Sequence, residues 1–196
     1  MATFAELVAD VKTLTNRPDL DSEIKLAVKK ATLKAHHSDF YPKDLYEVGI
    51  TWATPAYTQS LEYRTLIPRF RAIKWLRKTE SATADPGAFL TLVTPEQVLD
   101  SYSLARSDIF YLAGEQLEIK SSTQDDFMLL GCYLHPDITE NGYSSWIALD
   151  HPFLIEYEAT AAIFKQIGFD EQAAQIRQEV AEQYAELKLE ITAGGF

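Results

Sequence analysis

The stretch TNRPDLDSEIKLAVKKATLKAHHSDFYPKDL, residues 15–45, decides the fold because it contains one helix, both of its ends and the change to a different kind of structure. Its apolar residues recur at spacings of three and four from about Leu20 to His37, which predicts an amphipathic helix. A break at Asn16-Arg17-Pro18-Asp19 precedes this helix, and the aromatic corner Phe40-Tyr41-Pro42 follows it. The apolar stripe comprises Ile24, Ala27, Val28, Ala31 and Ala35.

Three other helices are predicted towards the two ends of the chain. Before the quoted stretch, Thr3 and Glu6 have the spacing of a capping box, which marks a helix start. Near the C-terminus, one helix is predicted from about Pro152 to Ile167 and another from Asp170 onward, with Gly168 as a C-cap between them. The first of these three helices has its apolar positions at Phe4, Leu7, Val8, Val11 and Leu14.

The middle of the chain, from Tyr46 to about Leu134, is richer in the aromatic and β-branched residues that favour strands. In one segment Leu61, Tyr63 and Thr65 alternate with polar residues, as in a half-buried strand. The remaining strands are predicted at Tyr46–Trp52, Phe70–Arg77, Ile109–Leu112, Gln116–Lys120 and Phe127–Leu134, with a hairpin turn at Ala113-Gly114-Glu115 and a short helix over Pro95–Tyr102.

These patterns predict an α+β fold: a helical bundle of two N-terminal and two C-terminal helices with an inserted, mainly antiparallel β subdomain. With 196 residues, the chain is expected to form a single domain, 1–196. The helical body is assigned to 1–45 and 146–192, the β insertion to 46–135, and a C-terminal tail to 193–196.

Composition and charge exclude several classes of function. The formal net charge of −11 argues against a general nucleic-acid binder, because phosphate contacts require clustered Lys and Arg. Cys132 is the one cysteine of the sequence, which excludes an intrachain disulfide and predicts a small buried apolar residue. The N-terminus, MATFAELVADVK, lacks a signal-peptide pattern, and no apolar run approaches the roughly 18 residues of a membrane span. We therefore expect a protein made in a reducing cytoplasm, with no membrane partner.

No catalytic motif is recognisable, since the sequence has no Gly-rich phosphate loop, no GxSxG and no HExxH. His36 and His37 are adjacent, whereas two metal ligands on one helix face need a spacing of three or four. His135 and His151 are expected to be solvated loop residues. We predict that the protein is not an enzyme and has no cofactor. The alternative is a metal- or ligand-binding enzyme that uses His36, Asp39 or His135.

Charge is distributed unevenly between two of the predicted helices. One interpretation is two solvated helix faces, or one contact within the chain. The other is an interface between subunits, in which the basic helix of one copy meets the acidic helix of the next, as in heterologous contacts that close into rings. The candidate interface residues are Lys25, Lys29, Lys30 and Lys34 on the basic helix and Glu179, Glu182 and Glu186 on the acidic one.

Several segments are similar to those of small head-to-tail adaptor (connector) proteins of tailed bacteriophages. The segments are LTNRPDL, the Lys- and Ala-rich helix ending in KAHHSDFYPKDL, the β segment LEYRTLIPRFRAIKWLR, and GYSSWIALDHPFLIEYEATAAIFKQIGFDEQAAQIRQEVAEQY near the C-terminus. The resemblance covers most of the chain and lies in its layout rather than in an invariant motif. It implies a helical bundle with a β insertion.

The resemblance also implies a structural virion protein at the junction of neck and tail, made in the host cytoplasm. In that family the copies form a ring, commonly a dodecamer, which lies beneath the portal protein and extends the channel through which DNA passes. The implied partners are the portal, tail or nozzle proteins and other copies of the chain, with no sequence-specific DNA binding. The alternative within the virion is a tail-completion protein.

The C-terminal segment is the part that the resemblance assigns to the portal. The candidate portal-binding residues are Leu187, Leu189, Ile191 and Phe196. Deletion of the last ten residues is accordingly expected to abolish portal binding and to leave the fold intact.

Overall fold

The computed structural model describes residues 3–51, 59–79, 87–100, 108–119 and 127–193, and it confirms the predicted α+β class. The described residues divide into two compact units. The helical unit contains those of 1–44 and 135–196, and the β unit contains those of 45–134. The chain therefore leaves the helical unit after Asp44 and returns to it at His135.

Helices lie at both ends of the chain, with the strands between them. In chain order the elements are α1 Phe4–Thr15, α2 Asp21–His37, a 3₁₀ turn Pro42–Asp44, β1 Leu45–Thr51, β2 Gln59–Glu62, α3 Tyr63–Leu66, β3 Phe70–Thr79, β4 Thr91–Leu92, α4 Pro95–Asp100, β5 Ile109–Ala113, β6 Gln116–Ile119, β7 Phe127–Leu134, α5 Trp146–Asp150, α6 Pro152–Gln166 and α7 Asp170–Ala193. The helices predicted at the two ends correspond to α1, α2, α6 and α7, and the predicted hairpin consists of β5 and β6.

The ends of α1 follow from its local sequence. The capping box is confirmed, because Glu6 N–H donates to Thr3 Oγ1 and Thr3 N–H donates to a Glu6 carboxylate oxygen. Asn16 ends the helix in the left-handed conformation, at φ 51°, which Asn tolerates better than most residues. The turn before α2 is held by an ion pair of Lys12 with Asp21 and by Arg17, whose guanidinium donates two hydrogen bonds to Asp19.

The central helix of the helical unit is α6, which packs against α1, α2, α5 and α7. It is apolar on several sides, as expected for a helix enclosed by others. Pro152 begins α6 without loss of a helical hydrogen bond, and Gly168, at φ 83°, allows the turn into α7. The core around it includes Leu7, Val11, Ile24, Val28, Ala35, Ile147, Leu154, Ile155, Ala159 and Leu187, none of which is exposed.

The β unit contains two sheets. In one, β7 lies between β1 and β3 and is antiparallel to both. The order in the other is β2, β6, β5, β4, with antiparallel pairs except for β4 and β5, which are parallel. Cys132 lies in the core of this unit, and its burial raises the pKa of the thiol to about 11. The prediction that Cys132 is a buried apolar residue is thus confirmed.

Gly131 in β7 allows Trp75 of β3 to approach the neighbouring strand closely. A Cβ atom at position 131 would lie 2.3 Å from Trp75 Cε2, which is shorter than any real contact of this kind. The register of β3 shifts between Ile73 and Trp75, as at a β-bulge. The glycine and the shift together place the indole ring over β7.

The predicted strand over Leu61–Thr65 is wrong after Glu62, because Tyr63–Leu66 form α3. Tertiary contacts override the alternating pattern here. The Tyr63 ring packs against Phe70, with 4.4 Å between centroids, and its hydroxyl donates to the backbone oxygen of Gly114. The ends of other predicted elements, at Trp52, Tyr102 and Lys120, and residues 194–196 of the predicted tail lie outside the described part of the chain.

Candidate functional site

A buried polar network within the helical unit joins the end of α2 and the 3₁₀ turn to the start of α5. His36, in the last turn of α2, contacts the Asp44 carboxylate through Nδ1, at 2.9 Å from Oδ1 and 3.1 Å from Oδ2. Its other ring nitrogen, Nε2, lies 2.9 Å from Ser145 Oγ. The indole N–H of Trp146 donates to Asp44 Oδ1 at 2.8 Å. We call these four side chains the junction network.

Each member of the junction network is positioned by the end of a helix or turn. Ser145 is the N-cap of α5, and its hydroxyl oxygen accepts the backbone N–H of Ala148. Asp44 is the last residue of the 3₁₀ turn. The Trp146 ring packs edge-on against Tyr41, and the Lys43 ammonium lies 4.9 Å from the centre of its indole. The network therefore depends on the aromatic corner that follows α2.

The order Ser145 Oγ, His36 Nε2, His36 Nδ1, Asp44 carboxylate is that of a Ser–His–Asp triad, in which the imidazole removes the hydroxyl proton. Ser145 and Trp146 also line a cleft of about 490 Å³ together with Phe4 and Tyr143. The Ser145 hydroxyl also has a structural role, because it caps the N-terminus of α5. In its structural role, the network gives hydrogen-bonding partners to the polar atoms of these side chains. Each such group, if buried without a partner, would cost about 1–3 kcal/mol of folding free energy.

His36 lies in the last turn of α2, and only 2% of this residue is exposed. His135 and His151 differ from the solvated residues expected. His135 Nδ1 lies 3.1 Å from His37 Nε2, with the rings stacked at 4.9 Å, and His151 Nε2 lies 3.2 Å from a Glu190 carboxylate oxygen. The sequence could not show these pairs, because their members are far apart in the chain.

The described residues do not provide a set of ligands for the alternative function, a metal-binding enzyme that uses His36, Asp39 or His135. Within the described ranges, no three His, Cys, Asp or Glu residues are grouped as metal ligands would be. His36 is directed at Asp44 rather than at a ligand on its own helix. The Asp39 carboxylate accepts the backbone N–H of Phe40 at 2.7 Å.

The lysines of α2 pair with carboxylates of their own chain. Lys25 Nζ lies 3.2 Å from Asp21 and 3.6 Å from Glu140, and Lys29 Nζ lies 3.5 Å from Glu140. Lys34 pairs with Glu158 on α6. Lys30 is exposed and has no ion pair with any described residue. For three of the four lysines, the structure thus shows the intramolecular contact that the sequence left open, although with other acids than those of α7.

The candidate residues on α7 occupy two different environments. Glu179, Glu182 and Glu186 are exposed. Leu187 is completely buried in the core of the helical unit, and the partly buried Ile191 packs against the same core. Leu189 is 68% exposed, and Phe196 lies outside the described residues. The expectation that the last ten residues can be deleted without damage to the fold is therefore wrong, because the deletion would remove Leu187.

A second surface feature, which the sequence did not predict, lies between α1 and the start of α6. It is a groove of about 610 Å³ that combines apolar walls with carboxylates. We call it the acidic groove, and its lining residues are Glu6, Asp10, Thr13, Leu14, Pro152, Phe153, Glu156 and Tyr157. Phe153 is 57% exposed and Leu14 is 44% exposed, so a substantial apolar surface is open.

Glu156 is the unusual residue of the acidic groove. Only 7% of it is exposed, and no described residue forms a hydrogen bond or an ion pair with its carboxylate. Burial, followed by repulsion from Asp10, raises the pKa of Glu156. Glu158, two residues later, points to another side of the helix and reaches Lys34, as expected from a spacing of two.

Comparison with models of known protein families and with curated proteins finds no match for this chain. Among the residues that the structure describes, no helix has the length and the apolar character needed to cross a membrane.

Proposed function

We propose that the protein is a structural virion component, a head-to-tail adaptor that forms a ring between portal and tail and extends the DNA channel, without enzymatic activity. The observation that carries the proposal is the architecture. A helical unit formed from both ends of the chain is interrupted by a largely antiparallel β unit, which is the layout that the resemblance to phage adaptors implies.

The end of α7 supports the assignment of portal binding to the C-terminal segment. Leu189 offers a large apolar side chain to solvent, two residues after the buried Leu187 has fixed the helix to the core. Exposed apolar residues of this kind act as anchors when a partner surface covers them. Within the described part of the segment, Leu189 is therefore the residue that we assign to the portal contact.

The negative charge of the chain also supports a channel role. A wall with many basic residues would hold DNA through its phosphates, whereas an acidic protein repels it. With a formal net charge of −11, the ring would allow DNA to pass without binding it.

Co-sedimentation with the portal protein of the same virus tests the proposal. The chain should pellet with portal rings, and Leu189→Asp should abolish this without loss of helical content, because the side chain is exposed. Glu171→Gln, an exposed change at the other end of α7, is the matched control and should bind like the unchanged chain. Equal binding by all three proteins would reject the assigned anchor, and no binding by any of them would reject the adaptor role.

A second candidate function, acyl hydrolysis, is favoured by one specific observation, the triad order of Ser145, His36 and Asp44 beside a cleft. We rank it second because the N-cap role accounts for Ser145 without catalysis. A fluorophosphonate probe distinguishes the two, since it phosphonylates an activated serine and releases fluoride. Labelling that disappears in Ser145→Ala and His36→Gln would favour hydrolysis, whereas no labelling of the folded chain would favour the structural role.

A further inference from the structure

The acidic groove contains a carboxylate, that of Glu156, which has no partner among the described residues. Glu156 is more than nine-tenths buried, has no described hydrogen-bonding partner, and lies close enough to Asp10 for the two charges to repel. Burial of a charge without a counterion is unfavourable unless a partner supplies one. The groove is therefore incomplete in the isolated chain and suited to a cation.

The walls of the groove restrict the kind of cation that it suits. Phe153 and Tyr157 form an aromatic wall, with 6.0 Å between their ring centroids, and Leu14 and Pro152 add aliphatic surface. Flat aromatic rings beside paired carboxylates suit an arginine side chain, whose guanidinium stacks on rings and donates to two acceptors at once. A simple metal ion would make no use of these walls.

The β unit of the same protein exposes a turn with matching chemistry. Arg69 is exposed and forms no ion pair with a described residue, and Leu66, three positions earlier, is 51% exposed beside the exposed Pro68. Other described arginines are engaged: Arg17 pairs with Asp19, and Arg77 lies 3.8 Å from the centre of the Phe89 ring. Arg177 on α7 is also exposed, but its neighbours one turn away are alanines and the buried Val180, which offer no large exposed apolar side chain.

We propose that the acidic groove of one copy binds the Leu66–Arg69 turn of a second copy, with the Arg69 guanidinium at Glu156 and Asp10 and Leu66 against Phe153. This inference rests on the proposed adaptor function, for which it names the contact between neighbouring subunits. The two surfaces are different, so the contact is heterologous and propagates from copy to copy around a ring. It takes the place of the contact between α2 and α7, because most of the α2 lysines are already paired within their own chain.

Cross-linking between two differently tagged copies of the full chain tests this contact. One copy carries Thr13→Cys in the groove, and the other carries Thr65→Cys beside Leu66; both positions are exposed. The native Cys132 is completely buried, so the unchanged chain gives the background with a short bismaleimide. The matched control pairs Thr13→Cys with Gln172→Cys, an exposed position on α7.

Charge reversal at exposed positions adds a specific signature. Asp10→Lys in the groove copy, or Arg69→Glu in the turn copy, should lower the cross-linked yield about tenfold, as expected for a charge pair that loses its water on binding. The two reversals together should restore it. A yield equal to that of the control pair, or a yield that neither reversal changes, would overturn the proposed contact.

The outcomes also separate this contact from the adaptor function itself. If electron microscopy shows an added ring on the portal but the two cysteine variants do not cross-link, the adaptor role is supported and the arginine contact is rejected. The cross-link without any binding to portal would retain the self-contact and reject the adaptor role.

Discussion

The indole nitrogen of Trp146 donates a hydrogen bond of 2.8 Å to Oδ1 of Asp44, which lies 102 positions earlier in the chain. Asp44 is the last residue before the chain leaves the helical unit, and Trp146 begins the first helix after its return. With His36 and Ser145, this bond connects the two segments of the chain that form the helical unit. The bond therefore links the end of the first helical segment of this unit to the start of α5 within the same unit.

The contribution of this bond can be measured with Trp146→Phe, which keeps an aromatic ring but removes the N–H donor. Since Asp44 is buried, the loss of a donor to its carboxylate should lower the free energy of unfolding by about 1–3 kcal/mol. Urea denaturation followed by circular dichroism measures the change. The control is Tyr46→Phe, which alters an exposed ring and should stay within about 0.5 kcal/mol of the unchanged chain. Equal stability of both variants would contradict a structural role for the bond.

Two leucines of α7 form a matched pair with opposite expectations. Leu187→Ala creates a cavity in the core and should cost about 2–5 kcal/mol of unfolding free energy, whereas Leu189→Ala should cost less than about 0.5 kcal/mol. Thermal and urea unfolding report stability, and co-sedimentation reports portal binding. We expect Leu189→Ala to weaken portal binding in a fully folded protein. A loss of binding only in the destabilised Leu187→Ala would show that α7 acts through the fold alone.

Because the pKa of Glu156 is raised, replacement of its carboxyl group is predicted to stabilise the fold in a pH-dependent way. The folded chain holds this proton more strongly than the unfolded chain, so the stability of the fold falls as the pH rises from the ordinary value of 4.5 through the raised pKa. Glu156→Gln removes this loss and should raise the unfolding free energy at pH 7, with no gain below pH 4.5. Urea titrations at several pH values, with the exposed Glu179→Gln as control, measure it. A gain of equal size at every pH would indicate a cause other than ionisation.

Cys132 should react slowly with iodoacetamide in the folded chain. Its side chain is completely buried, and the pKa of its thiol is raised to about 11, so little thiolate exists at pH 8. Mass spectrometry should show labelling only as denaturant unfolds the β unit. Rapid labelling of the native chain would mean that the core around β7 opens readily.

Local patterns in the sequence predicted α1, α2, α4, α6, α7 and most strands, but not the short helices α3 and α5. The predicted elements depend on residues that are neighbours in the chain. The capping box of Thr3 and Glu6, and the hairpin at Gly114, are of this kind. The junction network could not be predicted in this way, because His36 and Ser145 are 109 positions apart. The acidic groove could not be predicted for the same reason, since it forms between α1 and α6, which are distant in the chain.

The central claim is tested most directly by electron microscopy of purified portal rings mixed with this chain in excess. The adaptor function predicts an additional ring of density on one face of the portal, coaxial with its channel, which Leu189→Asp removes and Glu171→Gln retains. Portal rings that remain unchanged at saturating concentrations of the folded chain would contradict the account.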